Sequence, residues 1–248
     1  MQKEKIIMGM TIKIEIADNE VGDEIFEKIF SYFETINQRF STYKSDSEIS
    51  KINQGQIKEK DFSSGMKEIL RLSQETKEAT NGYFDILTRE QKLDPSGIVK
   101  GWAIWKASQL LKENGYKNFL IDAGGDIQVE GVREGKPWEI GIRNPIVPSE
   151  IIKVLKIENQ GVATSGNYVR GEHIYNPKTK NRIRQKNNIL SLTVIGPNIY
   201  DADRFATAAF AMGENGIFFI EKLYGFEGYM INREGIATMT SKFENYVK

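Results

Sequence analysis

The sequence contains no cysteine and a single histidine among its 248 residues. Without cysteine it can form no disulfide, no thiolate metal site and no cysteine nucleophile. It also lacks an apolar run of the roughly 18 residues that a transmembrane helix needs, and it has neither a G-x-S-x-G elbow nor a P-loop. Its 34 basic and 34 acidic residues cancel, which argues against binding of nucleic acid or a membrane surface through bulk charge.

The N-terminal segment, residues 1–5, is charged, and the apolar stretch and cleavage site of a secretory signal do not follow it. We therefore expect a cytoplasmic protein without a membrane segment as the sequence stands, or an exported one if a leader has been removed. Hydrophobic residues make up 40% of the chain, enough for a sizeable core. Because no repeat or proline-rich linker divides the chain, we expect a single domain over residues 1–248.

The spacing of apolar residues predicts a mixture of helices and strands. Helical spacing occurs in residues 22–38, 63–81, 102–114 and 202–224, and a polar residue three positions before Glu48 predicts a capped helix within 45–53. Strand patterns occur in residues 6–16, 118–132, 138–143, 151–169, 190–196 and 227–239. Helices and strands are clustered and several turns read as hairpins, so the fold class is α+β rather than a doubly wound parallel sheet.

The most informative stretch is residues 94–126. A loop of small residues holds Asp94 and Lys100 just before a helix, and a later apolar strand leads to Asp122 and Asp126 around a diglycine turn. A helix start with a nearby lysine suits a phosphate-bearing ligand. Carboxylates in the same region suit a hard divalent cation.

Asp203 and Thr207 form a second candidate site. They lie four residues apart, on one face of a predicted helix that is rich in alanine. A carboxylate and a hydroxyl placed in this way would suit Mg²⁺. The alternative is structural: an aspartate caps the helix and Thr207 packs in the core.

His173 is the single histidine, and its unperturbed pKa suits proton transfer near neutral pH. A surface or structural role is the alternative. Two aromatic segments, around Tyr43 and around Tyr83-Phe84, are also open to two interpretations, because such rings either seal a core or stack on a planar ligand.

A series of short motifs follows in one order along essentially the whole chain, at residues 8–11, 40–43, 47–53, 82–85, 94–103, 124–127, 163–168, 173–179 and 202–207. In this order they resemble the motifs of the ApbE-type FAD:protein FMN transferases. The resemblance implies an α+β, T-fold-like architecture with antiparallel sheets, packed helices and two lobes around a flavin cleft. It implies an enzyme that uses Mg²⁺ to transfer FMN from FAD to a threonine or serine hydroxyl of a target flavoprotein, releasing AMP.

The resemblance also implies roles for single residues. Asp203 and Thr207 would bind Mg²⁺ together with a backbone carbonyl at Gly97. His173 would be the base that takes the proton of the attacking hydroxyl. The residues that would contact FAD are Met8, Tyr43, Tyr83, Phe84, Asp85, Asp94, Lys100 and Ile183.

The chain resembles a short variant of this family. Only residues 86–94 connect the Phe-Asp turn to the Asp-Gly-Lys loop, where family members usually carry several dozen residues. Two other functions stay open from the sequence: hydrolysis of FAD to FMN and AMP at the same site, and flavin binding without catalysis.

Overall fold

The computed structural model describes residues 1–166, 177–178 and 188–248. Within them the strands are β1 (Gln2–Ile7), β2 (Met10–Ile16), β3 (Phe119–Ala123), β4 (Asp126–Glu130), β5 (Trp138–Arg143), β6 (Ile151–Ile157), β7 (Gly161–Gly166), β8 (Ile189–Gly196), β9 (Glu227–Asn232) and β10 (Ala237–Met239). The α-helices are α1 (Asp23–Phe40), α2 (Glu48–Asn53), α3 (Ser64–Ala79), α4 (Ser96–Glu113), α5 (Ile199–Met212) and α6 (Gly216–Glu221).

Eight of the strands form one antiparallel sheet in the order β1-β2-β3-β4-β7-β8-β9-β10, and β5 and β6 form a separate antiparallel pair. The predicted α+β class is therefore confirmed. A single domain over residues 1–248 and a division into two lobes stay predictions.

The large sheet separates two apolar layers. On β2 and β3, alternate residues pair across the strands and face the helices; Ile14 lies opposite Ile121 in this way, and both are fully buried. The intervening residues, such as Leu120, pack on the other face against Trp138 and Ile140 of β5. Because side chains alternate between the faces of a sheet, the fold has three layers: helices, the large sheet, and the β5–β6 pair.

The predicted strand over residues 6–16 is instead a hairpin. Ile7 pairs with Met10, so the turn consists of Met8 and Gly9, and both have positive φ, 57° and 70°. Two-residue turns of this kind match the twist of the strands that they connect. Because the apolar run continues through the turn, the sequence pattern gives no sign that the chain reverses there. The strand patterns in residues 151–169 and 227–239 each include a turn, after β6 or β9.

Two helix starts also differ from the prediction. The capping box at Glu48 is wrong: Ser47 accepts the hydrogen bond from the Ser50 N–H, and the Glu48 carboxylate bonds to Ser63, which precedes α3. Helix α4 begins at Ser96, six residues before the predicted start. Lys100 therefore lies on the second turn of a helix rather than in a loop.

Candidate functional site

An open cleft with a volume of about 810 Å³ lies where the β5–β6 pair, the large sheet, the start of α4 and one face of α5 come together. Its polar lining includes Lys13, Asp122 and Arg143 on the strands and Lys100 and Asp203 on the helices. The helices contribute backbone as well, because Gly97 at the start of α4 faces the same space.

Helices α4 and α5 cross in close contact at Gly101. A Cβ at this position would lie 2.6 Å from Asp203 Cβ and 2.8 Å from the carbonyl oxygen of Ile199. The missing side chain lets the Gly101 N–H donate a hydrogen bond of 2.8 Å to Asp203 Oδ2. Glycine at this position thus brings the carboxylate of α5 against the backbone of α4.

A buried cluster of charges forms at this crossing. Lys100 Nζ is in direct contact with Asp126 Oδ2 and lies 3.9 Å from Asp203 Oδ1. Asp126 and Asp203 are 1% and 4% exposed, and Asp126 Oδ1 accepts a hydrogen bond of 3.2 Å from the Thr164 N–H on β7. Lys100 is therefore the cation shared by two buried carboxylates.

The electrostatics of Asp203 reflect this arrangement. The pKa of its carboxyl is raised to about 7, mainly by burial; the Lys100 ammonium lowers this pKa and the Asp126 carboxylate raises it. One ammonium compensates one of two buried negative charges, so the cluster favours an additional positive charge, such as a proton or a metal cation.

The surroundings of Asp203 offer oxygen donors for a hard cation. Thr207 lies one turn further along α5, and a Cβ on Gly97 would lie 3.2 Å from Thr207 Cγ2, so these residues are adjacent. In a regular helix the Gly101 N–H bonds to the Gly97 carbonyl; here Asp203 competes with that carbonyl for the donor. A carboxylate, a hydroxyl and a backbone carbonyl are the kind of donor set that Mg²⁺ prefers. No three His, Cys, Asp or Glu side chains of the described residues are placed to hold a metal together.

The predicted FAD contacts on the turn before α4 line the cleft. Phe84 is buried against Gly97, with its Cε2 atom 3.2 Å from where a Cβ would lie, and the Tyr83 ring lies 4.7 Å from Lys178 Nζ. Asp85 pairs with Lys77 at 2.7 Å. These contacts place the turn firmly at the rim of the cleft.

A short hairpin connects this turn to α4. Asp94 accepts a hydrogen bond of 3.1 Å from the Ser96 N–H, and the Asp94 N–H bonds to the carbonyl of Ile86 at 2.7 Å. Leu87 pairs with Leu93 between them. The shortened segment of the sequence is therefore a closed turn, and Asp94 lines the cleft beside it.

Two predicted FAD contacts are not part of the cleft lining. Met8 lies in the β1–β2 turn and packs against the helix-side core, and Tyr43 is 98% exposed. His173 and Ile183 lie outside the described residues. The functional roles of these four residues stay predictions.

Two carboxylates near the diglycine turn have tertiary contacts that the sequence did not predict: Asp126 lies behind the cleft lining and Asp122 lines the cleft. Asp126 was visible as the carboxylate after the diglycine turn, but its contact with Lys100 depends on tertiary structure. Asp122 is a further example: burial raises its pKa, the Gly125 N–H lowers it, Asp126 raises it, and Lys13 and Arg143 lower it. Asp122 therefore feels both the Asp126 carboxylate and the positive side chains of Lys13 and Arg143.

A cleft that combines a half-buried lysine, carboxylates and donors for a hard cation is typical of enzymes that act on phosphate esters or anhydrides. A sequence model of the ApbE family matches residues 8–90 and 87–230 of this chain. The chain belongs to the ApbE family. The two matched stretches meet within the short hairpin that precedes Asp94.

Curated relatives of this chain are named FAD:protein FMN transferases. The FAD:protein FMN transferase of Haemophilus influenzae is 25% identical over 308 residues, covering 94% of this chain and 87% of the relative. The FAD:protein FMN transferase of Vibrio cholerae is 27% identical over 271 residues, covering 84% and 80%.

Solved structures confirm the ApbE architecture of the fold. The flavin transferase ApbE from Vibrio cholerae superposes with a TM-score of 0.84 at 24% identity and 99% coverage of both chains. The ApbE protein from Thermotoga maritima superposes with a TM-score of 0.87 at 21% identity, covering 100% of this chain and 99% of that one. Among the described residues of our chain, no helix combines the length and apolarity needed to cross a membrane.

Proposed function

We propose that this chain is an FAD:protein FMN transferase that uses Mg²⁺ to attach FMN to a threonine or serine hydroxyl of a flavoprotein, with release of AMP. The observation that carries the proposal is the charge cluster in which Lys100 and Asp203 line the cleft and the buried Asp126 contacts Lys100 from behind. The names of the curated relatives support the same activity. Because the acceptor supplies the nucleophile, the absence of cysteine from the chain does not conflict with group transfer.

The reaction is an in-line displacement on the pyrophosphate of FAD. The hydroxyl oxygen of the acceptor forms a bond to the phosphorus of the FMN half, the bond from that phosphorus to the bridging oxygen breaks, and AMP leaves with the electron pair. The hydroxyl proton passes to a base, the role that we propose for His173. Such displacements depend on neutralisation of phosphoryl charge and on alignment of the nucleophile.

The chain's own residues divide these tasks. Asp203, Thr207 and the Gly97 carbonyl would hold Mg²⁺, which when bound neutralises charge on the phosphate oxygens. Lys100 is held in place by Asp126, and its ammonium would neutralise charge on the phosphates of FAD. The remaining FAD contacts that we propose are Met8, Tyr43, Tyr83, Phe84, Asp85, Asp94 and Ile183.

The first experiment incubates the purified chain with FAD, Mg²⁺ and an acceptor, with and without EDTA. Two acceptors are suitable: a flavoprotein encoded beside this chain, and the protein that the Vibrio cholerae relative modifies. We expect mass spectrometry to detect an FMN adduct on the acceptor, together with AMP, only in the samples that contain no EDTA. AMP and free FMN without an adduct would indicate a pyrophosphatase. Tight FAD binding with neither product would indicate a binding protein.

His173→Ala is expected to reduce the rate of FMN transfer by about 100-fold or more, the usual range for loss of a general base, and to change the affinity for FAD much less. Single-turnover transfer and flavin fluorescence titration measure the two quantities separately. A variant that loses FAD affinity but transfers bound FMN at the original rate would contradict this role.

A further inference from the structure

Strand β5 has one free edge among the described residues. It pairs with β6 on one side and is absent from the large sheet. A free strand edge presents backbone N–H and C=O groups that another chain can pair with.

The hydrogen bonds of the neighbouring residues show which backbone groups of β5 face this edge. The carbonyl of Val154, on β6, accepts a hydrogen bond of 2.9 Å from the Lys248 N–H, so the backbone N–H and C=O of Val154 point away from β5. Gly141 lies directly opposite Val154. In an antiparallel pair, the N–H and C=O groups of two opposite residues point either towards each other or both outwards. The N–H and C=O of Gly141 therefore point to the free edge.

The same alternation applies along the strand. The Asn144 N–H bonds to the Glu150 carbonyl at 2.8 Å, so Asn144 faces β6 and its neighbour Arg143 faces outwards. Glu139, two residues before Gly141, also faces outwards. The edge thus offers three outward-facing residues at a spacing of roughly 7 Å, twice the rise of one strand residue.

This free edge borders the cleft of the proposed active site. All of the residues 139–143 line the cleft, whereas a strand that met it through one face would contribute only alternate residues. Gly141 leaves the edge without a side chain at its centre. Lys100 and Asp203 line the same cleft as the edge.

We propose that the free edge of β5 is the docking site of the acceptor protein, whose hydroxyl-bearing segment adds to β5 as an extended strand. The proposal rests on the proposed function, which requires a protein segment to enter the cleft beside FAD. Backbone pairing of this kind gives affinity with little dependence on sequence. An extended peptide presents N–H and C=O groups at every second residue, which matches the spacing of the edge, whereas a nucleotide has no such repeat.

Two variants at one position test the docking. Gly141→Pro removes the central N–H of the edge, and proline is tolerated where a strand N–H faces outwards. Gly141→Ala is the matched comparison, because both variants bring a Cβ to about the same contact with Ile151 Cδ1, at 3.0 Å, and alanine keeps the N–H. We expect the KM for the acceptor to be at least about tenfold higher in Gly141→Pro than in Gly141→Ala, with equal FAD affinity and equal thermal unfolding midpoints.

A second measurement uses the unaltered enzyme and a synthetic peptide that spans the acceptor hydroxyl. N-methylation of single peptide nitrogens is expected to weaken transfer at every second residue, because alternate N–H groups of an added strand bond to β5. Equal acceptor KM in the two Gly141 variants, or an N-methyl profile without this two-residue period, would overturn the docking proposal while leaving the transferase activity in place. If a loss of FAD affinity accounts for the higher acceptor KM of Gly141→Pro, the edge binds FAD rather than the acceptor, and the docking proposal is wrong. Absence of transfer by the unaltered chain would overturn the proposed function, and the docking site with it.

Discussion

Asp203→Asn is expected to reduce Mg²⁺-dependent FMN transfer by more than about 100-fold, because loss of a metal ligand exceeds the 10–100-fold effects of residues that only support ligands. Asparagine keeps the size of the side chain and retains an oxygen to accept the Gly101 N–H. The variant therefore removes the charge of the carboxylate with little change in the crossing of α4 and α5. Initial rates over a range of Mg²⁺ concentrations, with FAD binding measured in parallel, test this result.

The same substitution is expected to leave the metal-free protein as stable as before, or more stable, at pH 8. The folded pKa of Asp203, about 7, lies above its ordinary value of 3.8, so the unfolded chain ionises first as the pH rises. The stability that the protonated carboxyl contributes is fully present below about pH 4 and is lost as the pH rises through 7. Asparagine is neutral throughout, so we expect the difference in unfolding midpoint between the variant and the unaltered chain to grow from pH 5 to pH 8.

Asp201→Asn is the matched control, because it makes the same chemical change two residues away. Asp201 pairs with Arg204 at 2.6 Å and is not part of the cleft lining. Loss of a partly exposed ion pair lowers the free energy of unfolding by at most about 1 kcal/mol. The rate of FMN transfer is therefore expected to stay within about twofold of that of the unaltered chain. An Asp203→Asn protein with unaltered rate and unaltered Mg²⁺ dependence would refute the metal assignment.

The local pattern of apolar residues was sufficient to predict the helices and the fold class. The helical spacing of Ile25, Phe26, Ile29, Phe30, Phe33 and Ile36 predicted an amphipathic α1, and all six are buried against the core. Apolar periodicity determines such elements because a helix or strand has to bury one face. The β1–β2 hairpin was missed for the same reason: its two turn residues, Met8 and Gly9, lie inside an uninterrupted apolar run.

The candidate site was predicted only in parts. Lys100, Asp203 and Thr207 were selected through short motifs, but the contact between Lys100 and Asp126 joins residues 26 positions apart in the chain, through the packing of α4 on the sheet. The orientation of the β5 edge was also hidden, because it follows from the pairing of β6 with the C-terminal residue Lys248. Tertiary contacts of this kind leave no periodic signal in a single sequence.

Gly101→Ala is expected to destabilise the protein and to impair transfer together. The new Cβ would lie 2.6 Å from Asp203 Cβ and 2.8 Å from the Ile199 carbonyl, and neither atom can move without a shift of α5. Overpacking of this kind costs about 1–3 kcal/mol, which exceeds the roughly 1 kcal/mol that alanine gains over glycine in a helix. A lower unfolding midpoint, by a few degrees, is expected together with a lower transfer rate, since separation of the helices moves Asp203 away from Lys100.

Gly65→Ala on α3 separates this effect from helix propensity. Gly65 is also a buried helical glycine, but its Cβ would meet the Arg39 guanidinium, at 2.5 Å from Nη1. That group is the end of a flexible side chain and can move aside, so the propensity gain is expected to remain and the unfolding midpoint to stay the same or rise. Transfer activity should be unaltered, because Gly65 is not part of the cleft lining. If the two alanine variants unfold at the same temperature, close contact at Gly101 does not hold α4 and α5 in place, and the position of Asp203 needs another explanation.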